Sequence, residues 1–328
     1  TRYLGIPLKN PIIIGSSGLT DNVKSIVELE RNGAGAVVVK SLFEEEIVLE
    51  MQQDKNFMTG REYVYPETHD YLDYQEEEDG VRKYLRLITE AKATVSIPVI
   101  ASINCVSDQK WTYFAKEIEK AGADAIELNL FVLPTDFSRN ADFNRQIYFN
   151  VIKAVKEEVT IPVSIKLSYY FSDLGPTLME LSETGIYGMV LFNRFYSPDF
   201  DIENFSVLSS NVLSSPSDLS ISLRWVAIMS QRVSCDLCAS TGVHDGKALI
   251  KQLLAGANAV QVVSSVYKNG PEHISLMLSE LEDWMERQNF KSIEDFRGML
   301  SQNKSLNPAS YERVQFMKEF RHFAMKIK

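Results

Sequence analysis

The chain has 328 residues, of which 45% are hydrophobic and 24% charged, a composition typical of ordinary soluble globular proteins. With 34 lysines and arginines against 44 aspartates and glutamates its formal net charge is −10, which argues against nucleic acid as the main partner because phosphate binding needs a basic face. No apolar segment reaches 18 residues and the first residues lack the apolar core of a signal peptide, so we predict no membrane partner. Three cysteines are too few for a disulfide framework and fit a cytoplasmic location.

Short apolar runs and amphipathic segments alternate eight times along the chain. Each run has the length and β-branched content of a buried parallel strand, and each is followed by a helix-like segment. The predicted strands are Pro11–Gly15, Ala36–Lys40, Val99–Ile103, Ala125–Leu128, Val163–Leu167, Gly188–Phe192, Cys235–Ala239 and Ala259–Val263. The predicted helices are Asn22–Asn32, Val81–Thr94, Asp108–Ala121, Asn140–Val159, Pro176–Thr184, Ser217–Gln231, Asp245–Ala255 and Pro271–Gln288.

The joints between these segments repeat one pattern. Gly33, Gly122 and Gly256 each follow the end of a predicted helix and precede a strand, where glycine adopts the left-handed conformation easily. Eight such units predict an α/β fold, a closed (β/α)8 TIM barrel. An open doubly wound sheet would need fewer units and a glycine-rich first turn, which this sequence lacks. The length also allows two domains, but barrels reach this size as one, so we predict a single domain over residues 1–328.

Three stretches do not fit the repeat. Residues 44–80 follow the second strand and residues 194–216 follow the sixth, so both insertions should lie at the C-terminal face of the barrel, where long insertions are usually lids or binding loops. Residues 291–328 form a C-terminal extension, in which we predict a helix from Pro308 to Ala324.

Polar residues end several of the predicted strands, and in a barrel such residues converge where active sites are built. Lys40 and Lys166 are the most informative, because a lysine that ends a buried strand must pair with an acid or face a functional cavity. Asn129 and Asn193 end two further strands and can donate to carbonyl or carboxylate oxygens, although asparagine also caps turns. The pattern favours an anionic, planar or phosphorylated ligand.

The loops after the seventh and eighth strands commonly bind phosphate in such barrels. Here they read Ser240-Thr241-Gly242-Val243 and Ser264-Ser265-Val266-Tyr267. Small residues let backbone amides approach a phosphate and hydroxyls add donors, but small residues also simply close tight turns, and both interpretations stay open. The four histidines form no metal-binding pattern, so we predict no metal site.

At these residues the chain resembles the dihydroorotate dehydrogenase family of FMN-containing barrels, and its soluble class 1 members most. The resemblance runs from Leu4 to Leu300. It includes the first strand and turn through Ser16-Ser17-Gly18, the Lys40-Ser41 segment, Glu127-Leu128-Asn129-Leu130, Ile165-Lys166-Leu167, Leu213-Ser214-Ser215-Pro216 and the two phosphate loops. Each match is weak alone, but their order over about 300 residues is specific.

The resemblance implies FMN as the cofactor, with its phosphate and its ring at opposite ends of one site. The implied cofactor-binding residues are Ser16, Ser17, Gly18, Lys40, Ser41, Asn104, Asn129, Lys166, Ser215, Thr241, Gly242, Ser264 and Ser265, and the implied substrate ligands are Lys40, Asn129 and Asn193. A cation near the pyrimidine edge stabilises the anionic reduced flavin. The implied reaction is the oxidation of dihydroorotate to orotate in pyrimidine biosynthesis, by proton loss to a base and hydride transfer. Class 1 members form dimers, which leaves a homodimer open.

The substrate half of the site departs from the family. After its fourth strand class 1 continues Ser-Cys-Pro-Asn, with the cysteine as general base, whereas this chain reads Phe131-Val132-Leu133-Pro134. Val132 therefore occupies the position of the base and cannot accept a proton. Thr135, Asp136 and Ser138 lie just beyond and could supply a substitute, so the base stays unassigned.

Three hypotheses follow. The first is an FMN-dependent oxidoreductase that acts on dihydroorotate or a related dihydropyrimidine. The alternative is a flavin-binding barrel that has lost the dehydrogenase reaction. An unrelated phosphosugar lyase or isomerase barrel would leave the long resemblance unexplained. The sequence has no cysteine cluster for iron–sulfur and no dinucleotide fingerprint, so it does not identify the electron acceptor.

Overall fold

The computed structural model describes residues 1–47, 80–105, 110–194, 197–210 and 212–312. Within these residues, eight parallel strands surround a common axis. They are β1 (Ile12–Ile14), β2 (Ala36–Val38), β3 (Val99–Cys105), β4 (Ala125–Leu130), β5 (Val163–Leu167), β6 (Gly188–Leu191), β7 (Asp236–Ser240) and β8 (Ala259–Val262). Each lies within one or two residues of its predicted position.

The strands pair in chain order around the barrel, and the last strand returns to the first. β8 pairs with β1, with Val260 opposite Ile12, and β2 pairs with β3, with Val37 opposite Val99. All eight pairings are parallel, so every strand is paired on both sides. The predicted (β/α)8 barrel is confirmed.

A helix follows each strand and packs on the outside of the barrel. The helices are α1 (Val23–Arg31), α2 (Gly80–Thr94), α3 (Phe114–Lys120), α4 (Ala141–Glu158), α5 (Leu174–Glu183), α6 (Leu219–Met229), α7 (Gly246–Ala255) and α8 (His273–Gln288). A short helix, Ser264–Asn269, precedes α8. The helix predicted over Asp108–Ala121 is shorter in the structure, because its described beginning, Lys110–Tyr113, is a 3-10 turn.

Helix α7 shows how the sequence sets its ends. Asp245 caps its first turn by accepting a hydrogen bond from the backbone N–H of Ala248 at 2.7 Å. Gly256 ends it with a φ of 118°, in the left-handed region that its position after the helix predicted.

The N-terminal residues close the lower end of the barrel. Arg2–Tyr3 pairs with Ile6–Pro7 in a small hairpin, and Tyr3 and Leu4 are buried against interior side chains of several strands. Gly188 of β6 makes room for them, since a Cβ there would lie 2.5 Å from a methyl carbon of Leu4. With apolar side chains filling this end, a ligand has to enter from the carboxyl ends of the strands.

The insertion after β6 contains a second hairpin, Ser197–Asp201 paired with Ser206–Ser210. Phe200 and Val207 face each other on it and both are exposed. Of the insertion predicted over residues 44–80, residues 48–79 lie outside the described part of the chain.

The C-terminal extension packs against the barrel at its start. Phe296 is fully buried, and the backbone N–H of Gly298 donates to the carbonyl of Leu253 in α7. The helix predicted over Pro308–Ala324 is described only at Ala309–Glu312, since residues 313–328 lie outside the described part. The single domain over residues 1–328 stays a prediction.

Among the described residues, no helix combines the length and apolar character that crossing a bilayer requires.

Candidate active site

The structure places all of the predicted site residues at the carboxyl ends of the barrel strands or in the loops that follow them. Asn104, Asn129 and Lys166 lie within β3, β4 and β5, and the others follow β1, β2, β6, β7 and β8 or precede α6. The set forms several groups that are held by different contacts.

The first group surrounds Lys166. Its Nζ donates to Oε1 of Gln261 in β8 at 2.8 Å and lies 3.8 Å from Oε1 of Glu127 in β4. Nε2 of Gln261 donates in turn to Oε2 of Glu127. All three side chains are buried. Burial raises the pKa of Glu127, while the Lys166 ammonium and Gln261 act in the opposite direction. Lys166 therefore fits both of its expected roles, because it has an acid nearby and lies at the end of its strand at the barrel mouth.

The second group consists of asparagines. Nδ2 of Asn193 donates to Oδ1 of Asn129 at 2.9 Å. Asn129 lies between Asn104 and Lys166 in the strand register, as the Cα partner of both. These residues place amides beside the Lys166 ammonium, and amides can pair with the carbonyl and N–H groups of a planar heterocycle.

The third group is a chain of hydroxyls between β1 and β3. Ser41 Oγ lies 2.9 Å from Ser16 Oγ and 2.8 Å from Ser102 Oγ, and the hydroxyl of Tyr84 donates to the carbonyl of Ser102 at 2.8 Å. The predicted residues Ser16 and Ser41 therefore meet. Ser17 instead caps the turn Gly18–Thr20, accepting from the backbone N–H of Leu19.

The fourth group lies at the predicted phosphate end and centres on Ser214. Its backbone N–H donates to Ser264 Oγ at 2.9 Å, and its carbonyl accepts from Lys268 Nζ at 2.7 Å. Its Oγ lies 3.1 Å from Nε2 of His244, whose pKa is lowered by burial and by the Lys268 ammonium. The adjoining Ser215 bonds within its own turn, to Asp218. Through these contacts, the loop before α6 packs against the loops after β7 and β8.

Two features of this end fit a phosphate. Gly242 has a φ of 80° and no room for a side chain, because a Cβ would lie 2.1 Å from the backbone nitrogen of Leu219 in α6. Ser265 Oγ is completely buried and has no hydrogen-bond partner among the described residues. A buried hydroxyl without a partner is costly, and a bound oxyanion would supply one. Hydroxyls and a close backbone are the donors that a phosphate needs.

Thr241 adopts the left-handed conformation, with a φ of 76°. This conformation costs about 1–2 kcal/mol for a residue with a Cβ. Its hydroxyl donates to the carbonyl of Phe192 at 3.1 Å.

Lys40 differs from Lys166. β2 ends at Val38, two residues before the predicted strand end, and the Lys40 side chain is exposed to solvent. Water solvates the ammonium at no cost. Its role toward a ligand stays a prediction.

The segment after β4 places no suitable base beside the site. Val132 is half-buried and packs against the core. Asp136 is exposed, and hydrogen bonds from Ser138, together with the Arg139 guanidinium, lower its pKa. Burial raises the pKa of Tyr148 to about 12, so its hydroxyl stays protonated at neutral pH. The base therefore stays unassigned.

An open cleft of about 100 Å³ lies at the mouth between the ends of β5, β6 and β7. Tyr169, Tyr170 and Phe192 line it, with Tyr169 stacked on Tyr170 at a centroid distance of 4.9 Å. Asn193 and Thr241 also face it, so the cleft joins the asparagine pair to the phosphate end. Aromatic walls with a few polar groups suit a planar ligand.

Five residues that contact the predicted set or one another were not predicted from the sequence: Glu127, Gln261, Ser102, Ser214 and His244. Glu127 and Gln261 carried a signal, since each is a polar residue in the middle of a buried apolar strand, where its presence requires a partner. Among the described residues, no group of three or more His, Cys, Asp or Glu side chains is arranged to hold a metal ion.

These features define a class, a (β/α)8 barrel with a cluster of polar side chains at its C-terminal face. The sequence model of the dihydroorotate dehydrogenase family matches residues 64–285. This is more than half of the chain, which therefore belongs to the dihydroorotate dehydrogenase family, a family of flavoproteins.

Similar proteins carry the name dihydroorotate dehydrogenase B (NAD(+)), catalytic subunit. The one from Thermoplasma volcanium is 27% identical over 308 residues, which cover 91% of this chain and 97% of the relative. The one from Methanothermobacter thermautotrophicus is 26% identical over 313 residues, with the same shares covered.

Proposed function

We propose that this chain is an FMN-dependent oxidoreductase that oxidises dihydroorotate, or a related dihydropyrimidine, in pyrimidine biosynthesis. The observation that carries the proposal is the buried Lys166 ammonium, held by Gln261 at the carboxyl ends of β5 and β8. A buried cation at the mouth of a barrel suits an anionic ligand, and the family is one of flavoproteins.

In this proposal the chain holds the cofactor at two ends. The hydroxyls of Ser264 and Ser265 and the backbone at Gly242 bind the phosphate, with Ser215 and Thr241 beside it. Lys166 and Asn129 face the ring, together with Ser16, Ser17, Gly18, Lys40, Ser41 and Asn104. When bound, FMN supplies a hydride acceptor. The Lys166 ammonium stabilises negative charge at that acceptor.

The same residues orient the substrate. The Asn129–Asn193 pair and Lys40 are the proposed substrate ligands, and the aromatic side chains of the cleft lie beside Asn193. Oxidation also needs a base for the departing proton, and we assign none.

The location and assembly follow as parts of the same proposal. We propose a cytoplasmic enzyme that acts on a small molecule and forms a homodimer. The relatives carry the name dihydroorotate dehydrogenase B (NAD(+)), catalytic subunit. Because a catalytic subunit implies a second subunit, this name supports association with a further chain that passes electrons to NAD(+).

One observation favours a second candidate, a flavin-binding barrel without dehydrogenase activity. Val132 stands where the family has its base, and Asp136 is already engaged by Ser138 and Arg139. A single experiment distinguishes the two candidates.

The experiment uses the purified chain under anaerobic conditions. The first proposal expects yellow protein that releases FMN on denaturation and whose flavin absorbance bleaches on adding dihydroorotate. Yellow protein that stays unbleached over hours supports the second candidate, and colourless protein that does not bind added FMN contradicts both.

A further inference from the structure

Gln261 lies between two buried charges inside the barrel. Its Oε1 accepts from Lys166 Nζ at 2.8 Å, and its Nε2 donates to Oε2 of Glu127. The exposed fractions of Lys166, Gln261 and Glu127 are 7%, 2% and 1%. Because the ammonium faces the amide oxygen and the carboxylate faces the amide nitrogen, the orientation of the Gln261 amide is fixed by both neighbours.

The two charges do not close into a direct contact. Lys166 Nζ lies 3.8 Å from Glu127 Oε1, and that oxygen is buried without a hydrogen-bond partner among the described residues. A hydrogen-bonded ammonium–carboxylate pair sits at about 2.7–2.9 Å. The interior strongly favours such contact, since attraction between charges grows as the surroundings become less polar. Something therefore holds the pair apart, and Gln261 bonds to both partners.

Gly15 at the end of β1 provides the space for the Gln261 amide. A Cβ at position 15 would lie 3.1 Å from Oε1 of Gln261 and 3.0 Å from a methyl carbon of Val263. Both distances are tighter than ordinary packing. A larger residue at position 15 would therefore press on the amide that separates the charges.

We propose that Gln261 is a positioning residue that keeps the Lys166 ammonium from closing onto Glu127, so that the ammonium remains available to an anion bound at the strand ends. This inference rests on the proposed function, in which that anion is the pyrimidine edge of the reduced flavin. The negative charge of Glu127 then repels this anion. Because Gln261 holds the Lys166 ammonium away from the carboxylate, the ammonium can offset the repulsion.

The reduction potential of bound FMN tests the proposal through the sign of its change. Gln261→Met keeps the volume but removes both hydrogen bonds, so Lys166 closes onto Glu127 and the reduced anion loses stabilisation. We expect the affinity ratio of reduced to oxidised FMN to fall about tenfold, which lowers the two-electron potential by ~30 mV. Glu127→Gln removes the competing carboxylate and should raise the potential by a similar amount.

Glu286→Gln, the same change at an exposed position of α8, is the control and should leave the potential unchanged. Opposite shifts for the Gln261 and Glu127 variants support the proposal. Shifts of the same sign, or none, overturn it, because a purely structural network would change stability without this pattern.

The apoprotein supplies a test that needs no flavin. Glu127→Gln, Lys166→Met and the double variant form a thermodynamic cycle, measured by urea unfolding, that gives the coupling between the two charges. The same cycle is repeated with Gln261→Met present. The proposal expects the coupling, as a ratio of unfolding constants, to rise about fivefold when Gln261 is replaced and the charges can meet.

Equal or weaker coupling in the Gln261→Met background overturns the proposal, whether or not the protein binds flavin. A protein that binds no FMN contradicts the proposed function alone, because this cycle still decides the role of Gln261. If Gln261→Met fails to fold, Gly15→Ala replaces it, because the added methyl group displaces the same amide from the side of β1. We expect this variant to change the coupling in the same direction. An unchanged coupling in Gly15→Ala would also overturn the proposal.

Discussion

The side-chain amide of Asn193 donates to Oδ1 of Asn129 at 2.9 Å and thereby joins the ends of β6 and β4 across β5. The bond passes over the strand that carries Lys166, so three neighbouring strand ends contribute polar groups to one place. It also fixes the Asn129 amide, whose oxygen faces Asn193 and whose nitrogen remains a donor for a ligand.

Asn129→Asp tests that donor. The aspartate can still accept from Asn193, but it loses the N–H groups and adds a negative charge beside the proposed flavin ring. Because a hydrogen bond to a charged group contributes about 1.5–3 kcal/mol, we expect FMN affinity to fall by roughly tenfold to a hundredfold. Calorimetric titration of the apoprotein with FMN measures it. Asn150→Asp on the exposed face of α4 is the control, and equal affinity in the two variants would remove Asn129 from the site.

Val132→Cys tests whether the missing base limits the reaction. The family places its cysteine base at this position, and a positioned general base contributes about 10²–10⁴-fold to rate. If dihydroorotate is the substrate, the variant should bleach the flavin at least roughly a hundredfold faster than the native chain, in anaerobic stopped-flow measurements. Val132→Ala also shortens the side chain but adds no thiol, so it should not increase the rate of bleaching. No gain from Val132→Cys would mean that the base lies elsewhere or that the substrate differs.

Much of the fold was predictable because the barrel strands are continuous buried apolar runs. β5 was predicted at its observed bounds, Val163–Leu167, because Val163, Ile165 and Leu167 alternate with Ser164 and Lys166 in a short segment between two helices. The hairpin Ser197–Ser210 was expected only as a binding loop. Its apolar side chains, Phe200 among them, are exposed, so they do not produce the alternation that marks a half-buried strand.

From the sequence, the site could be predicted only as a set of residues at the ends of strands. Position along a strand says which residues reach the barrel mouth, so Asn129 and Lys166 could be chosen from the sequence. Which residues then contact each other depends on the barrel closing, as for Gln261 and Glu127, which lie 134 positions apart in the chain. The sequence also placed Lys40 at the end of β2, whereas the strand ends two residues earlier and the Lys40 side chain is exposed to solvent.

Thr241 gives a prediction about stability. Thr241→Gly and Thr241→Ala both remove the hydroxyl that donates to the Phe192 carbonyl, but only glycine relieves the left-handed backbone. We therefore expect the glycine variant to be more stable than the alanine variant by about 1 kcal/mol. Urea unfolding of the two proteins measures the difference. An alanine variant of equal or greater stability would show that this conformation carries no strain.

Two equivalent carboxylates at the lower end of the barrel predict how stability depends on pH. Glu30 accepts from the backbone N–H and hydroxyl of Ser96 at 2.7 and 2.6 Å, and Glu119 accepts from the corresponding groups of Thr160. Burial raises the pKa of Glu30, but these hydrogen bonds outweigh it and the net pKa is lowered. For Glu119 the bond from the Thr160 hydroxyl is the largest cause of a lowered pKa.

A carboxylate whose pKa is lowered by folding stabilises the protein above its unfolded-state pKa, and this stability is lost as the pH falls through the folded-state value. We expect Glu30→Gln and Glu119→Gln each to lower stability at neutral pH by about 1 kcal/mol or less, given their exposure to solvent. Each should also flatten the decline of stability in the acid range. Unfolding curves collected from neutral to acid pH measure both effects. Glu28→Gln, two residues from Glu30 on the exposed face of α1, should follow the native curve, and a native-like acid decline in all three variants would refute the assignment.

The visible spectrum of the purified protein, recorded before and after anaerobic addition of dihydroorotate, decides whether the chain is an FMN-dependent oxidoreductase built around the Lys166 ammonium. We expect a flavin spectrum that bleaches on addition and returns on exposure to an oxidant. A protein that shows no flavin absorbance even after incubation with FMN would contradict this proposal.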